Sequence, residues 1–187
     1  MNEIINRCRW VNMKNPLYIQ YHDTEWGIPQ HADQMLFELL ILEGFQAGLS
    51  WECVLNKRVR FRQVYDNFDV EKVSRYDEKK MQELLADPGI IRNRLKAQAS
   101  VRNARVFLQI QAEFGSFDAY LWGFTDGKTI DESYDLRTTS PLSDQISKDL
   151  KKRGMKFAGS TVIYSYLQAV GVINAHGAEC DCHPAAR

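Results

Sequence analysis

The chain has 187 residues, 24 Lys and Arg balanced by 24 Asp and Glu, and 11% aromatic residues. Zero net charge excludes a protein that coats nucleic acid by bulk attraction, but not one with a local basic face, because phosphate attraction is set by nearby charge. No apolar run is long enough to span a bilayer, and the opening MNEIINRCRW lacks the apolar stretch of a secretory signal, so a cytoplasmic protein of single-domain size with no membrane contact is expected.

Residues 18–29, YIQYHDTEWGIP, crowd aromatic and titratable groups together with no helical or strand period, so an irregular segment is expected there. Asp33 is placed as N-cap of an apolar helix, QMLFELLILEG, ending near Gly44. The linker FQAGLS leads to a second helix, WECVLNKRVRFRQVYDNF. Asp77 caps EKKMQELLAD, which Pro88 stops. The four-residue recurrences Ile91, Leu95, Ala99 and Val106, Ile110, Phe114 predict one long helix in DPGIIRNRLKAQASVRNARVFLQIQAEFG. Ser116 opens a short aromatic helix, residues 125–139 form a polar loop, and Pro141 starts PLSDQISKDLKKRG. GSTVIYSYLQAVG reads as a buried helix; residues 160–166 have strand-like composition, but no partner strand is visible. The expected fold is all-α, a single unit 1–187 with a helical core over 33–171 and irregular segments 1–32 and 172–187.

His176 and Cys180 form H-x-x-x-C, a spacing that brings both side chains toward one ion. Cys8 and His22 stand at the other end of the chain. Together the two Cys and two His suit a tetrahedral zinc with no open position, a structural tie between the termini. On the residues alone, free thiols and surface histidines are the favoured reading, and Cys182 and His183 are rival ligands. Cys53 is expected to pack in its helix as a small apolar residue.

PLYIQYHDTEWG, LLILEGFQAGLSW, DPGIIRNRLKAQA, KDLKKRGMKFAGSTVIYSYLQAVGVINAH and the closing H-x-x-x-C resemble the 3-methyladenine DNA glycosylase I family, in the family's order and from about Cys8 to Cys180. The resemblance implies an all-α helix-hairpin-helix glycosylase fold and a structural zinc on Cys8, His22, His176 and Cys180. It also implies a monofunctional hydrolase that flips 3-methyladenine out of double-stranded DNA and releases the free base, acting as a monomer. By the same resemblance Trp10, Tyr18, Tyr21 and Trp51 line the base pocket, where stacking and cation–π attraction hold a methylated purine. Composition alone leaves those aromatics equally suited to a core.

Glu43 by itself reads as an exposed helix end; the resemblance makes it the catalytic, substrate-reading acid. Neither a Schiff-base lysine nor the superfamily's catalytic aspartate has a clear counterpart. For DNA contact, Gly48 and Leu49 form a tip that fills the gap left by the extruded nucleotide, and a hairpin at DPGIIRNR presents Gly89 amides to phosphate beside Arg92, Arg94 and Lys96. Lys148, Lys151, Lys152, Arg153 and Lys156 form a further basic cluster. Phe45 departs from the polar residue the family pattern suggests, which bears on the pocket wall. Two other readings fit the same residues: a non-catalytic lesion sensor and a zinc-stapled interaction domain.

Overall fold

The computed structural model describes residues 6–133 and 137–184. Its organising element is α2, Asp33–Gln46, in which Leu36, Phe37, Leu39, Leu40, Ile41, Leu42 and Phe45 are all buried. A helix apolar on every side must be surrounded. It is: α7 (Arg94–Phe114), α8 (Phe117–Trp122), α10 (Ser160–Ala169) and the short α3 (Trp51–Leu55) all pack on it. The helix starts one residue earlier than expected. Asp33 is not its N-cap; Ala32 is, and the Asp33 carboxylate instead accepts bonds from the Phe117 and Asp118 amides, both at 2.8 Å, capping α8 across the core.

The expected irregular N-terminal segment contains α1, Pro16–Thr24, begun by an Asn15 side chain that accepts the Leu17 amide, with proline in the first turn. The stretch read as one helix after Trp51 is three pieces. Helix α3 ends at Leu55, α4 runs Arg58–Val64, and a 3₁₀ turn over Asp66–Phe68 has every φ positive, near +50°. The chain then forms α5 (Val70–Ser74) and α6 (Glu78–Ala86), the latter capped by Asp77 as expected.

Helix α7 begins at Arg94, so Ile91 lies outside it, and Leu95 is 68% exposed. Ala99, Val106 and Ile110 are buried as expected, joined by Ala97, Val101, Ala104 and Phe107, the last stacked on Phe117 with centroids 4.1 Å apart. Ser116 and Ser140 cap α8 and α9 (Pro141–Arg153). Residues 160–166 are helical, within α10. Among the described residues the only strands are β1 (Ile130–Asp131) and β2 (Ile173–Asn174), a two-residue parallel pair that fastens the polar loop to the C-terminal segment. The all-α class holds.

The chain ends meet through the backbone. Gly27 and Gln30 amides donate to the Gln168 and Val170 carbonyls at 3.1 and 3.0 Å. Gly171, at φ +74, lets this segment pass: a Cβ there would stand 2.5 Å from the Ile28–Pro29 peptide.

Candidate base pocket and metal-ligand cluster

Cys8, His22, His176 and Cys180 converge, with their ligand atoms all within 4.8 Å of one another. Helix α1 supplies His22; the turn after β2 supplies His176 and Cys180. The Sγ–N separations are 3.6 Å (Cys8–His176), 3.5 Å (Cys180–His176) and 3.5 Å (Cys180–His22). Metal bonds of about 2.3 Å to sulfur and about 2.05 Å to nitrogen, set at the tetrahedral angle, require a separation of about 3.6 Å. The second nitrogen of each imidazole is also occupied as a metal ligand's should be. His22 Nδ1 lies 2.8 Å from Asp23, itself held by Arg7, and His176 Nε2 lies 3.1 Å from the Trp26 carbonyl. The rival Cys182 is sorted by the same geometry: its sulfur lies 3.9 Å from His22 Nδ1, the nitrogen facing Asp23, on the opposite side of the ring from the cluster. Burial pushes the Cys8 thiol up to about 12, so a thiolate there needs a cation beside it.

Beside the cluster lies a cavity of about 170 Å³ walled by Trp10, Tyr18, Tyr21, Trp26, Glu43 and Trp51. Helix α1 brings the tyrosines, α3 brings Trp51, and α2 brings Glu43 one turn before its end. Trp10 forms an outer flap, 39% exposed, with its ring 5.2 Å from Tyr18 and 4.7 Å from Trp26. Tyr21 and Trp51, centroids 5.3 Å apart, are buried. All five residues expected in a base pocket therefore face one space.

Glu43 does not sit on an exposed helix end. It is 4% exposed, its Oε2 has no hydrogen-bond partner, and burial raises its pKa to about 8. Trp51 Nε1 is likewise buried without an acceptor. An orphan acceptor and an orphan donor in one aromatic slot leave hydrogen-bonding capacity that a polar ring can satisfy. Burial first, then the Glu43 charge, raises the Tyr21 hydroxyl well above its ordinary value, so it stays a neutral donor. Phe45 turns away and packs against Phe61 and Tyr65; Gln46 is the polar neighbour on the wall. Trp26, Gln46, Ser165 and Gln168 complete the lining. Sequence reasoning missed Gln46, Ser165 and Gln168, which reach the cavity from the end of α2 and from α10.

The elements expected to meet DNA divide. Gly48, at φ +79, and Leu49, 44% exposed, form the tip after α2. Gly89 has no amide to offer: its N–H donates to Asp87 Oδ1 at 2.7 Å, and a Cβ would meet Arg60 Cγ at 2.6 Å, so close packing is what requires glycine. Arg92 is exposed on that turn, Arg94 pairs with Glu78, and Lys96 is buried. Arg153 is bound to Asp149 and Glu113, leaving Lys148, Lys151, Lys152 and Lys156 exposed. The short connection 154–159 joins α9 to α10, which pack against each other.

Fold and site together define a helical protein with an aromatic slot, a buried carboxyl group inside it and a Cys/His cluster beside it. The model of the family described as methyladenine glycosylase matches residues 10–183, and the chain belongs to that family. It is 44% identical over 187 residues to DNA-3-methyladenine glycosylase 1 of Escherichia coli (strain K12), covering 96% of this chain and 98% of that protein. A crystal structure of a 3-methyladenine DNA glycosylase I, at 44% identity, superposes with a TM-score of 0.92 over 96% of this chain and 100% of that one. The 3-methyladenine DNA glycosylase I of Staphylococcus aureus, solved for the structural basis of 3-methyladenine recognition, is 36% identical with a TM-score of 0.89, covering 92% and 94%.

Proposed function

We propose that this protein is a monofunctional DNA glycosylase that extrudes 3-methyladenine from alkylated double-stranded DNA and hydrolyses its N-glycosidic bond. One observation carries the reading: a buried, unpartnered carboxyl group inside an aromatic slot, in a chain of the methyladenine glycosylase family. Methylation at the purine 3-position makes the base cationic, so it departs as a neutral molecule and needs little acid catalysis. The aromatic walls attract such a ring by stacking and by cation–π interaction. Glu43, once ionised, accepts a hydrogen bond from the exocyclic amine and balances the ring's charge. Orientation and water-excluding walls then favour the oxocarbenium-like transition state, with water as nucleophile.

Among the described residues the cavity wall carries no lysine, and Lys96 is occupied elsewhere, which supports hydrolysis without strand cleavage. Cys8, His22, His176 and Cys180 would hold a zinc ion, whose chemistry is to cross-link the termini; four protein ligands leave no open position. The protein acts as a monomer in the cytoplasm, with Leu49 entering the duplex and Arg92 and the free lysines of α9 facing phosphates.

The test is direct. Incubation with methylated duplex DNA releases free 3-methyladenine, and Glu43→Gln slows that release. Binding of the lesion without base release would instead identify a lesion sensor, a reading the relatives' names do not favour.

A further inference from the structure

Where α2 ends, three consecutive carbonyls need partners. Ala47 (φ −44, ψ 115) and Gly48 (φ +79) occupy the central positions of a type II turn, closed by the Leu49 amide on the Gln46 carbonyl at 2.6 Å. The carbonyls on either side, Phe45 and Ala47, both accept from one group: the Lys96 ammonium, at 2.8 and 2.6 Å. Lys96 comes from the first turn of α7, is buried, and among the described residues forms no ion pair. Its ring neighbour is Phe157, 6.0 Å away in the α9–α10 hairpin. A lysine without a carboxylate partner is costly to bury, and a helix C-terminus is one place where its charge is complemented.

We propose that Lys96 is a positioning residue for strand opening: by clamping the carbonyls of Phe45 and Ala47 it holds the Gln46–Leu49 turn rigid, so that Leu49 enters duplex DNA as a preformed wedge. A loose tip would lose conformational entropy at the moment of insertion; a clamped one has lost it on folding. The inference rests on the reading of Leu49 as a wedge in a base-extruding enzyme.

Single-turnover excision is measured for Lys96→Met, Lys96→Arg and Leu49→Ala on a methylated duplex and on the same methylated strand alone. Affinity for free 3-methyladenine is followed by tryptophan fluorescence. Lys96→Met and Leu49→Ala each slow duplex excision roughly tenfold and leave the single strand and free-base affinity within about twofold, while Lys96→Arg recovers most of the loss. Equal loss on duplex and single strand would assign Lys96 a general structural role and overturn the proposal. Slow duplex excision by Leu49→Ala with normal rates for Lys96→Met would overturn it while sparing the wedge; normal duplex rates for Leu49→Ala would remove the wedge itself. Should Lys96→Met not fold, Gly48→Ala serves instead, since its Cβ meets no atom within 4 Å and only the turn at φ +79 is strained. It must show the same duplex-selective loss, and an unaffected rate would count against the clamp.

Discussion

Trp26 and His176 pack edge to face with ring centroids 4.6 Å apart, and the Nε2 atom of that imidazole lies 3.1 Å from the carbonyl oxygen of Trp26 itself. One tryptophan thus serves as a wall of the aromatic cavity and as an orienting neighbour of the Cys/His cluster. Whatever loosens the cluster tilts a wall of the pocket.

The first prediction concerns the clasp. Chelation of the metal, or Cys180→Ala, lowers the thermal midpoint by roughly 10 °C, because removing one of four ligands forfeits binding energy that exists only in the folded state. The rate of bond cleavage at saturating DNA changes far less. Thermal unfolding with elemental analysis checks this; native protein free of zinc would rule out the clasp.

Gly27 tests the same join without touching a ligand. Its φ is +77, and a Cβ would stand 2.8 Å from His176 Nε2. Gly27→Ala therefore displaces the imidazole, breaks its bond to the Trp26 carbonyl, and lowers metal content and stability together, by about 2 kcal/mol or more. Gly123→Ala, where a Cβ meets nothing within 4 Å, is the tolerated control.

Glu43 sets a pH dependence in activity. With its pKa near 8, the free enzyme is mostly protonated at neutral pH, whereas a cationic base calls for the carboxylate. The kcat/KM for excision accordingly rises by about tenfold per pH unit up to about 8 and then levels. Glu43→Gln flattens the profile and lowers its plateau by roughly a hundredfold. A wild-type profile level from pH 6 to 9 would show that ionisation of Glu43 plays no part.

The same group sets a pH dependence in stability, of opposite sense. Its folded pKa, about 8, exceeds the ordinary value of 4.5, so between those limits the folded protein holds a proton that the unfolded chain releases. That contribution is complete below 4.5 and is lost as pH rises through 8, amounting to about 5 kcal/mol at most. Glu43→Gln, always neutral, matches the wild type in acid and is the more stable protein at pH 9. Denaturant titrations at both ends of the range decide it.

Arg58 holds the frame behind the pocket. Its guanidinium spans from Glu25, 2.7 Å away at the end of α1, to Glu38, 2.5 Å away within α2. Arg58→Met leaves Glu38, only 3% exposed, with the more exposed Arg62 as its remaining cation and costs about 3–5 kcal/mol. Adding Glu38→Gln returns part of that loss. Equal stability of the single and double variants would show that the buried charge is not the source.

The amino-acid order went far in some places and stopped in others for identifiable reasons. The caps at Asp77 and Ser116 and the helix start at Pro141 were legible because each acts within one turn of its own helix. Asn15-Pro16 is a cap signal of the same kind and marks the start of α1; it was overlooked because the aromatic-rich segment after it shows no apolar stripe. Asp33 looked like a local cap but spends its carboxylate on α8, a choice invisible along the chain. Glu43 read as exposed because a lone acid at a helix end normally is; only the α1 and α3 aromatics folding over it make it buried.

Local sequence thus determined most of the helices, the two pairs of metal-ligand candidates and, through motif order, the family. Tertiary structure alone decided which sulfurs and nitrogens lie about 3.5 Å apart, that the Gly89 amide donates to Asp87, and that the Lys96 ammonium faces the carbonyls after α2. The division follows from range. Helix propensity and capping act over a few residues, whereas burial, ligand geometry and the partners of a charged group are set by segments as much as 175 positions apart.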